Sequence, residues 1–277
     1  MKPTIIIYSN TKLESQKIKA ELIEKVKDRS IEIVDEHVKA DYIISIGGDG
    51  TLLSAFHHFK HYLNHSKFLG IHTGHLGFYT DWLNNEVDQV LDGIESSYDK
   101  YVSYPLLDVE ICLKDGRCRR MLALNEFSIR STMGTMVSDV YVRDYFFETF
   151  RGDGISISTP TGSTGLNKSL GGAVVHPRLD AIQLTEMASI NNRVYRTLSS
   201  PMIIPSDEWF TLKPDMSQSV ILSVDNQSWQ NYEVSHVNCR VAKERIKFAS
   251  FRHTHFWDRV ENAFIGRKNK DDFKGDL

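Results

Sequence analysis

Residues 41–53 read DYIISIGGDGTLL, and the organisation of the chain can be worked out from them. Tyr42 to Ile46 form an isoleucine-rich apolar run bounded by glycine, which favours a strand buried on both faces. Three glycines follow within four residues, and glycine adopts backbone conformations that other residues rarely adopt. Thr51 then begins an apolar-periodic helix. A strand, a glycine loop and a helix N-terminus in this order present free N–H donors, so the stretch predicts a phosphate-binding loop.

Asp49 lies among these glycines, where a carboxylate would repel phosphate unless a cation or a proton transfer accounts for it. We therefore predict a chemical role for Asp49. The alternative is that Asp49 only caps the helix that begins at Thr51, which aspartate does well. The loop matches neither G-x-x-x-x-G-K-[ST] nor G-x-G-x-x-G, so neither of these nucleotide-binding patterns explains it.

Length and composition narrow the class of protein. A chain of 277 residues suits two domains better than one core. Its net charge of -3 argues against a dedicated nucleic-acid or anionic-membrane binder, and no apolar segment reaches the length of a membrane span. The three cysteines are odd in number and lack C-x-x-C spacing. We therefore predict a cytoplasmic protein with neither a disulfide framework nor a Cys-rich zinc site, and with no nucleic-acid or membrane partner.

Strands and helices alternate in the first hundred residues. The predicted strands span 4–8, 31–34, 42–46 and 68–71. The predicted helices span 13–26, the apolar-periodic stretch that begins at Thr51, and 84–94. This alternation predicts a parallel α/β layer, in which ligands bind beyond the carboxyl ends of the strands. The loops 47–50 and 72–75 both fall at such ends.

The remaining chain is mostly β in pattern, with a hairpin turn at 114–116. Strands are predicted at 106–113, 117–124, 137–142, 145–150, 220–224, 237–241 and 246–251, and one helix at 179–189. We predict an α+β fold of two domains, an N-terminal α/β parallel-sheet domain over 1–100 and a C-terminal β-sandwich domain over 101–251. We leave open whether residues 252–277 pack back on the first domain. The charged tail from 267 is predicted to be disordered.

A second unusual cluster lies in the β-rich part. It combines glycines and hydroxyls over 151–154, 158–165, 168–169 and 171–172, which can donate to phosphate or ribose oxygens. Ordinary turns have the same composition, so the alternative of plain loops stays open. Asn125 and Glu126 end a predicted strand, where an amide and a carboxylate could hold the hydroxyls of a sugar; a strand-end turn is the competing interpretation.

Together these motifs resemble the NAD kinase family. The resemblance is carried by 47–51 (GGDGT), 76–78 (LGF), 125–126 (NE), 152–154 (GDG) and 158–164 (STPTGST), in that order. It implies phosphorylation of the 2′-hydroxyl of the adenosine ribose of NAD, giving NADP. It also implies ATP or polyphosphate as donor, a divalent cation such as Mg²⁺, and a homotetramer or homodimer. No protein ligand of the metal is assigned.

The resemblance implies roles for single residues. Asp49 accepts the proton of the attacking hydroxyl, and the 47–50 loop holds the donor phosphates. The residues that would bind the nucleotides are Gly47, Gly48, Asp49, Gly50, Phe78, Tyr79, Asn125, Glu126, Arg151, Asp153, Ser158, Thr161, Thr164, Gly165, Leu166, Asn167, Lys168, Ser169, Ala188 and Gln227. Leu166 stands where the family commonly has Tyr, so an aromatic contact with the dinucleotide is lost there.

Two other functions stay open on the sequence. A lipid or sphingoid-base kinase shares the glycine-aspartate loop, and a non-catalytic sensor could bind NAD or NADP without turnover. His57, His61 and His65 are spaced by four, which could place imidazoles together for zinc. The set lacks the H-E-x-x-H context, so a solvated polar face is the preferred interpretation. His72 and His75 lie closer to the predicted phosphate loop.

Overall fold

The computed structural model describes residues 2–74, 77–96, 100–215, 217, 219–231, 233–251 and 256–266. The chain divides into two compact units, one of Met1–Val102 with Lys247–Leu277 and the other of Ser103–Ile246. Within the described residues, no helix is both long and apolar enough to cross a membrane.

The first unit is built on a parallel sheet. Its strands are β1 (Thr4–Ser9), β2 (Glu32–Ile33), β3 (Tyr42–Ile46), β4 (Lys67–His72) and β5 (Trp82–Leu83). Its helices are α1 (Leu13–Val26), α2 (Asp49–Phe59) and α3 (Val87–Ser96), with a 3₁₀ turn at Lys60–Tyr62. The strands are ordered β2-β1-β3-β4, and β5 pairs with β4. The predicted parallel α/β layer is confirmed.

The central strand β3 explains why this unit folds as the sequence predicts. All five of its residues are buried, because β1 and β4 pair on either side and helices cover the sheet. Leu22 of α1 and Leu91 of α3 pack with Ile44 in one apolar cluster. The carboxyl end of β3 therefore delivers the glycine loop from a rigid base.

The second unit is almost entirely β. The strands that follow in the chain are β6 (Tyr101–Leu113), β7 (Cys118–Ala123), β8 (Glu126–Ser131), β9 (Met136–Val142), β10 (Tyr145–Gly152), β11 (Gly154–Ser158), β12 (Ala181–Met187), β13 (Met202–Pro205), β14 (Trp209–Pro214), β15 (Val220–Val224), β16 (Gln227–Asn231) and β17 (Val234–Ala249). A 3₁₀ turn, Thr161–Thr164, precedes the short helix α4 (Leu166–Ser169). The chain then returns to the first unit with the end of β17, the helix α5 (Phe256–Val260) and a π-helical turn, Glu261–Ile265.

Two sheets enclose the core of the second unit. One has the order β10-β9-β14-β17, with β6 against β17 and β7 against β6; the other is six-stranded, β13-β12-β11-β8-β15-β16. Val140 and Leu212 of the first sheet share one apolar cluster with Phe127, Ile157 and Leu222 of the second. The predicted β-sandwich is confirmed.

The helix predicted at 179–189 is wrong, because this segment forms strand β12. β12 is an interior strand between β11 and β13, and Ile182 and Leu184 lie in the core. Gln183 and Thr185 on the other face are also buried, at 2% exposure each. The sequence does alternate apolar and polar residues from Ile182 to Thr185, but Glu186 breaks the alternation, and four residues are too few to decide for a strand.

Smaller differences lie at element ends. The strands predicted at 237–241 and 246–251 are one continuous strand, β17. The helix predicted from 84 begins at Val87, after the short strand β5. The predicted disorder of the tail from 267 lies outside the described residues.

The prediction of no disulfide is wrong. Cys112 and Cys118 are directly paired in the antiparallel hairpin of β6 and β7, and their sulfurs are joined at 1.98 Å. An odd number of cysteines excludes only complete pairing, and the hairpin turn brings these two together. Cys239 is free, and burial raises the pKa of its thiol well above the usual value.

The placement of β12 can be tested by truncating its core side chain. Leu184→Ala should lower the free energy of unfolding by about 2–5 kcal/mol, since Leu184 is 1% exposed in the sandwich core. Ile203→Ala on β13 is the matched control, because Ile203 is 48% exposed, and it should change stability by only about 0.5 kcal/mol. Urea unfolding followed by tryptophan fluorescence measures both. Equal losses would contradict the placement.

Candidate active site

The predicted phosphate loop lies in the first unit, and Gly47 fixes its shape. Gly47 has a φ of +151°, and a Cβ there would lie 2.2 Å from Thr51 Oγ1. The Asn10 side-chain amide donates to Thr51 Oγ1 at 3.0 Å, and the Gly47 N–H donates to the Ile71 carbonyl at 2.9 Å. The loop is therefore closed around a position that only glycine fits.

Helix α2 begins at Asp49, two residues before the predicted start, with Gly48 as its N-cap. Asp49 is thus the first helical residue, and its side chain does not cap its own helix. The first N–H groups of a helix have no acceptor within it. Gly50 is exposed, and a Cβ there would meet no atom within 4 Å. The helix start is therefore open to an anion at this point.

The Asp49 carboxylate is held by a neighbouring stretch of backbone. Oδ2 accepts the Phe78 N–H at 2.8 Å, and Oδ1 accepts the Tyr79 N–H at 3.1 Å. A Cβ on Gly77 would lie 2.2 Å from Oδ1, so the backbone passes close against the carboxylate. A carboxylate has about four acceptor positions, so two remain for a further partner. The Asp49 carboxylate is thus hydrogen-bonded to the backbone of 78–79 and does not cap its own helix.

Phe78 and Tyr79 differ in what they can offer a ligand. The Phe78 ring is half-buried, with its centroid 5.6 Å from that of Phe264, and its carbonyl accepts from Arg259. Tyr79 is 6% exposed and stacks on Phe248, with centroids 5.8 Å apart. The Tyr79 ring therefore belongs to the core, and its N–H reaches the site through Asp49.

The histidines that the sequence singles out also differ in their contacts. His72 Nε2 lies 3.6 Å from the Cβ position of Gly48, and its Nδ1 accepts the Gly74 N–H at 2.7 Å. His75 lies outside the described residues. His58 pairs with Glu36 at 3.2 Å. No three His, Cys, Asp or Glu side chains in the described part of the chain are arranged to hold a metal, and this part includes His57, His61 and His65.

The second unit holds the other predicted residues, and three of them share an unusual property. Glu126 on β8 lies directly opposite Ser158 on β11, and Thr161 follows on the 3₁₀ turn. Glu126 Oε2, Ser158 Oγ and Thr161 Oγ1 are buried without a hydrogen-bond partner. Because buried polar atoms are normally bonded, three such atoms close in the fold indicate a place prepared for a polar ligand.

Glu126 also has a perturbed acidity. Burial, and after it the negative charge of Asp225, raises the pKa of the Glu126 carboxyl to about 8. A carboxyl with this pKa is mostly protonated at neutral pH and can donate a hydrogen bond. Glu126 is therefore suited to an acceptor oxygen on a ligand.

Arg151, Asp153 and Ala188 are predicted site residues at the ends of β10 and β12. The Arg151 guanidinium lies 4.3 Å from the centre of the Tyr195 ring, and the Arg151 carbonyl accepts the Ile190 N–H at 2.7 Å. Asp153 is exposed, as is Ala188, whose φ of +47° is unusual outside glycine. Asp153 and Ala188 are therefore accessible, and Arg151 is half-buried.

The residues from 164 to 169 divide into buried and exposed members. Thr164 is buried and donates to the Thr161 carbonyl at 3.3 Å. The Asn167 amide is fully used: it donates to the Ser163 and Ala173 carbonyls and accepts from Thr185 Oγ1. Asn167 thus serves the fold through its side chain. The exposed predicted residues of this region are Gly165, Leu166, Lys168, Ser169 and, at the start of β16, Gln227.

Sequence reasoning missed two residues that the structure places against predicted ones. Tyr195 supports Arg151, and Asp225 lies beneath the backbone of Asn125 and Glu126. The available signal for Asp225 was weak: an aspartate in a two-residue hairpin turn, where it is common for conformational reasons alone.

The comparisons with known proteins agree with this geometry. A family model for the ATP-NAD kinase N-terminal domain matches residues 5–99, and one for the C-terminal domain matches 124–250. The NAD kinase of Latilactobacillus sakei is 48% identical over 267 residues, covering 96% of this chain and 99% of the relative. The NAD kinase of Enterococcus faecalis is 49% identical over 263 residues, covering 95% of this chain and 98% of the relative.

Two solved structures share the fold. Yeast NADH kinase complexed with NADH superposes with a TM-score of 0.81 at 20% identity, covering 99% of this chain and 89% of the other. An NAD kinase from Archaeoglobus fulgidus in complex with ATP gives 0.72 at 20% identity, covering 95% and 98%. The family models and the curated relatives make the chain a two-domain kinase, a phosphotransferase. The chain belongs to the NAD kinase family, as the sequence motifs predict.

The loop geometry predicts opposite effects for two neighbouring glycines. Gly47→Ala should destabilise the protein by about 1–3 kcal/mol or more, because alanine is strained at this φ and its Cβ would clash with Thr51. Gly50→Ala should leave stability unchanged or raise it by up to about 1 kcal/mol, because the position is open and helical. Thermal midpoints of the purified variants measure both effects. A Gly47→Ala protein as stable as wild type would contradict the described loop.

The raised pKa of Glu126 predicts a pH effect on stability. The folded protein holds this proton up to about pH 8, whereas an unfolded Glu releases it near pH 4.3. Glu126 therefore lowers the stability as pH rises from about 4.3 to 8. Glu126→Gln removes this dependence, so its thermal midpoint relative to wild type should increase between pH 5 and pH 8. A constant difference across this range would refute the assignment.

Proposed function

We propose that this chain transfers the terminal phosphate of ATP to the 2′-hydroxyl of the adenosine ribose of NAD, giving NADP. The observation that supports the proposal most is Asp49 at the start of α2, whose carboxylate is oriented by the N–H groups of Phe78 and Tyr79. Family membership supplies the substrates, and the loop supplies a carboxylate fixed beside a phosphate site.

Binding of the donor phosphates is assigned to the 47–50 loop. Gly48 and Gly50 carry no side chain over the helix start, so phosphate oxygens can approach the N–H groups closely. Phosphoryl transfer depends mainly on alignment and on neutralisation of charge, and both are properties of this backbone. Gly47 contributes indirectly, because its conformation closes the loop against Thr51.

Asp49 is assigned as the proton acceptor. Its backbone partners keep the carboxylate in one orientation, so little reorganisation is needed when the hydroxyl attacks. A carboxylate is a much weaker base than an alkoxide, so proton transfer comes late, after most of the donor bond has broken. General-base assistance of about 10²–10⁴-fold is expected from such a group.

A divalent cation, for which we propose Mg²⁺, fits this donor set. Asp49 offers a carboxylate, and the described residues contain no group of three metal-binding side chains. Mg²⁺ commonly binds through one or two carboxylates together with substrate phosphates and water, rather than in a protein cage. When bound, the cation neutralises charge on the transferring phosphate.

Acceptor binding is assigned to the β-rich domain, 101–251, and donor binding to the domain 1–100, with 252–277 returning to it. Glu126, Ser158 and Thr161 supply the buried oxygens without partners that a nucleotide would engage. Arg151 offers a guanidinium to a phosphate, and Leu166 offers an apolar surface of 37% exposure in place of a ring. The other residues proposed for the nucleotide site are Phe78, Asn125, Asp153, Thr164, Gly165, Lys168, Ser169, Ala188 and Gln227. Tyr79 and Asn167 would act indirectly, Tyr79 by holding Asp49 and Asn167 by holding the fold around it.

We also propose that polyphosphate can serve as an alternative donor and that the protein assembles as a homodimer or homotetramer. Among the rival functions, a lipid or sphingoid-base kinase is not favoured by the family to which the chain belongs. A sensor without turnover is the alternative that an activity assay distinguishes directly.

The proposal predicts that Asp49→Asn abolishes NADP formation while NAD binding persists. The amide cannot take the proton, and most of the NAD contacts are assigned to the other domain. The assay incubates the protein with NAD, ATP and Mg²⁺ and detects NADP with an NADP-specific dehydrogenase. Retention of binding is measured as the rise in thermal midpoint on adding NAD.

The matched control is Asp81→Asn, since Asp81 is also a carboxylate in the first unit and pairs with Arg259 instead of the 78–79 N–H groups. A folded Asp49→Asn enzyme with wild-type turnover would contradict the role of Asp49. A wild-type protein that binds NAD but forms no NADP with any donor would instead establish the sensor.

A further inference from the structure

Three consecutive backbone N–H groups in the second unit point at one carboxylate. Asp225 Oδ2 accepts the Leu124 N–H at 2.9 Å, and Oδ1 accepts the Asn125 N–H at 2.7 Å and the Glu126 N–H at 3.2 Å. The Asp225 N–H in turn donates to the Glu126 carbonyl at 2.9 Å. We call residues 124–126 the acceptor turn, and Asp225 binds it along its whole length.

Thr159 holds the same turn from the other side. Its hydroxyl donates to the Leu124 carbonyl at 2.6 Å, and its N–H donates to the Asn125 carbonyl at 2.9 Å. A Cβ on Gly162 would lie 2.1 Å from the Asn125 carbonyl oxygen, so the turn is packed tightly as well. All six backbone N–H and C=O groups of the acceptor turn are therefore bonded.

The sequence supports Asp225 in this position. β15 pairs with β8, and the hairpin after Val224 brings Asp225 beside the beginning of β8. Asp225 has a φ of +52°, which aspartate tolerates better than most residues. Hydrogen bonds from N–H groups to a carboxylate are stronger than those between neutral groups, so the three bonds hold the turn firmly.

We propose that Asp225 is a positioning residue for the acceptor nucleotide: by fixing the backbone of the acceptor turn, it aims Asn125 and Glu126 at the ribose. This inference rests on the proposed function of the second unit. Asp225 needs no contact with the nucleotide for this role. Its carboxylate acts through the turn, and its charge acts on the Glu126 carboxyl.

The charge supplies a signature that a purely structural residue would lack. The pKa of Glu126 is raised to about 8, first by burial and second by the negative charge of Asp225. Asp225 is therefore a charged group that acts on the Glu126 carboxyl. Removal of that charge lowers the pKa of Glu126. Glu126 then loses its proton, and with it a donated hydrogen bond, at a lower pH than in wild type.

The test is Asp225→Asn in the full chain, assayed for NADP formation. Asparagine keeps the shape but turns one acceptor into a donor facing a backbone N–H. We expect kcat/KM for NAD to fall about 10–100-fold, mostly through KM, with KM for ATP within about 2-fold of wild type. Asp115→Asn is the matched control, because Asp115 also accepts a backbone N–H in a hairpin turn, from Arg117 at 3.0 Å. It should leave both constants unchanged.

The pH profile of KM for NAD separates positioning from general damage. In wild type, KM should rise as pH increases towards 8, and in Asp225→Asn this rise should occur at lower pH. In a Glu126→Gln background this rise in KM should be absent. Adding Asp225→Asn to that variant should leave the pH dependence of KM for NAD unchanged. A folded Asp225→Asn enzyme with an unchanged KM for NAD and an unchanged profile would overturn the proposal.

Two further measurements cover the cases in which Asp225→Asn does not fold or wild type makes no NADP. If Asp225→Asn does not fold, Thr159→Val removes the hydroxyl that holds the Leu124 carbonyl while keeping the backbone N–H, and it should also raise KM for NAD. An unchanged KM for NAD in the Thr159→Val variant would contradict a positioning role of residues 124–126. If wild type makes no NADP, the proposed function fails by itself. The dissociation constant of NAD, measured by calorimetry, then tests the inference, and equal values for wild type and variant would refute it.

Discussion

A carboxylate bound by consecutive backbone N–H groups is the interaction on which the site in each unit depends. In the first unit, Asp49 accepts from Phe78 and Tyr79, and this ties the start of α2 to the loop after β4. The strands that precede these two groups in the chain, β3 and β4, are parallel neighbours in the sheet. The sheet therefore carries both the proposed phosphate loop and the backbone that holds the Asp49 carboxylate.

In the second unit, the Asp225 carboxylate makes the same kind of interaction and accepts the backbone N–H groups of Leu124, Asn125 and Glu126. An ionised acceptor makes stronger hydrogen bonds than a neutral one, so a short turn can be held without secondary structure of its own. The same charge raises the pKa of Glu126, because the burial that favours a ligand site also removes screening by water. Asp225 thus orders the backbone of 124–126 and also contributes, after burial, to the raised pKa of Glu126.

Much of the fold was predictable because its signals are local. β3, the glycine loop and α2 are contiguous, and α1 has the predicted bounds. The strand β12 was not predictable in this way, since burial of Gln183 and Thr185 depends on both neighbouring strands. The Cys112–Cys118 pair was implied by the predicted hairpin at 114–116 but was set aside on cysteine count. Asp225 was invisible, because its three partners lie about a hundred residues away in the chain.

The central claim is that a phosphoryl group passes from ATP to one particular hydroxyl of NAD. Phosphorus-31 NMR of the product made by the wild-type protein tests it most directly, because coupling to the ribose proton identifies the phosphorylated carbon. We predict a single new monophosphate resonance, from a phosphate on the 2′ position of the adenosine ribose. A phosphate on another hydroxyl, or ATP consumed with NAD unchanged, would contradict it.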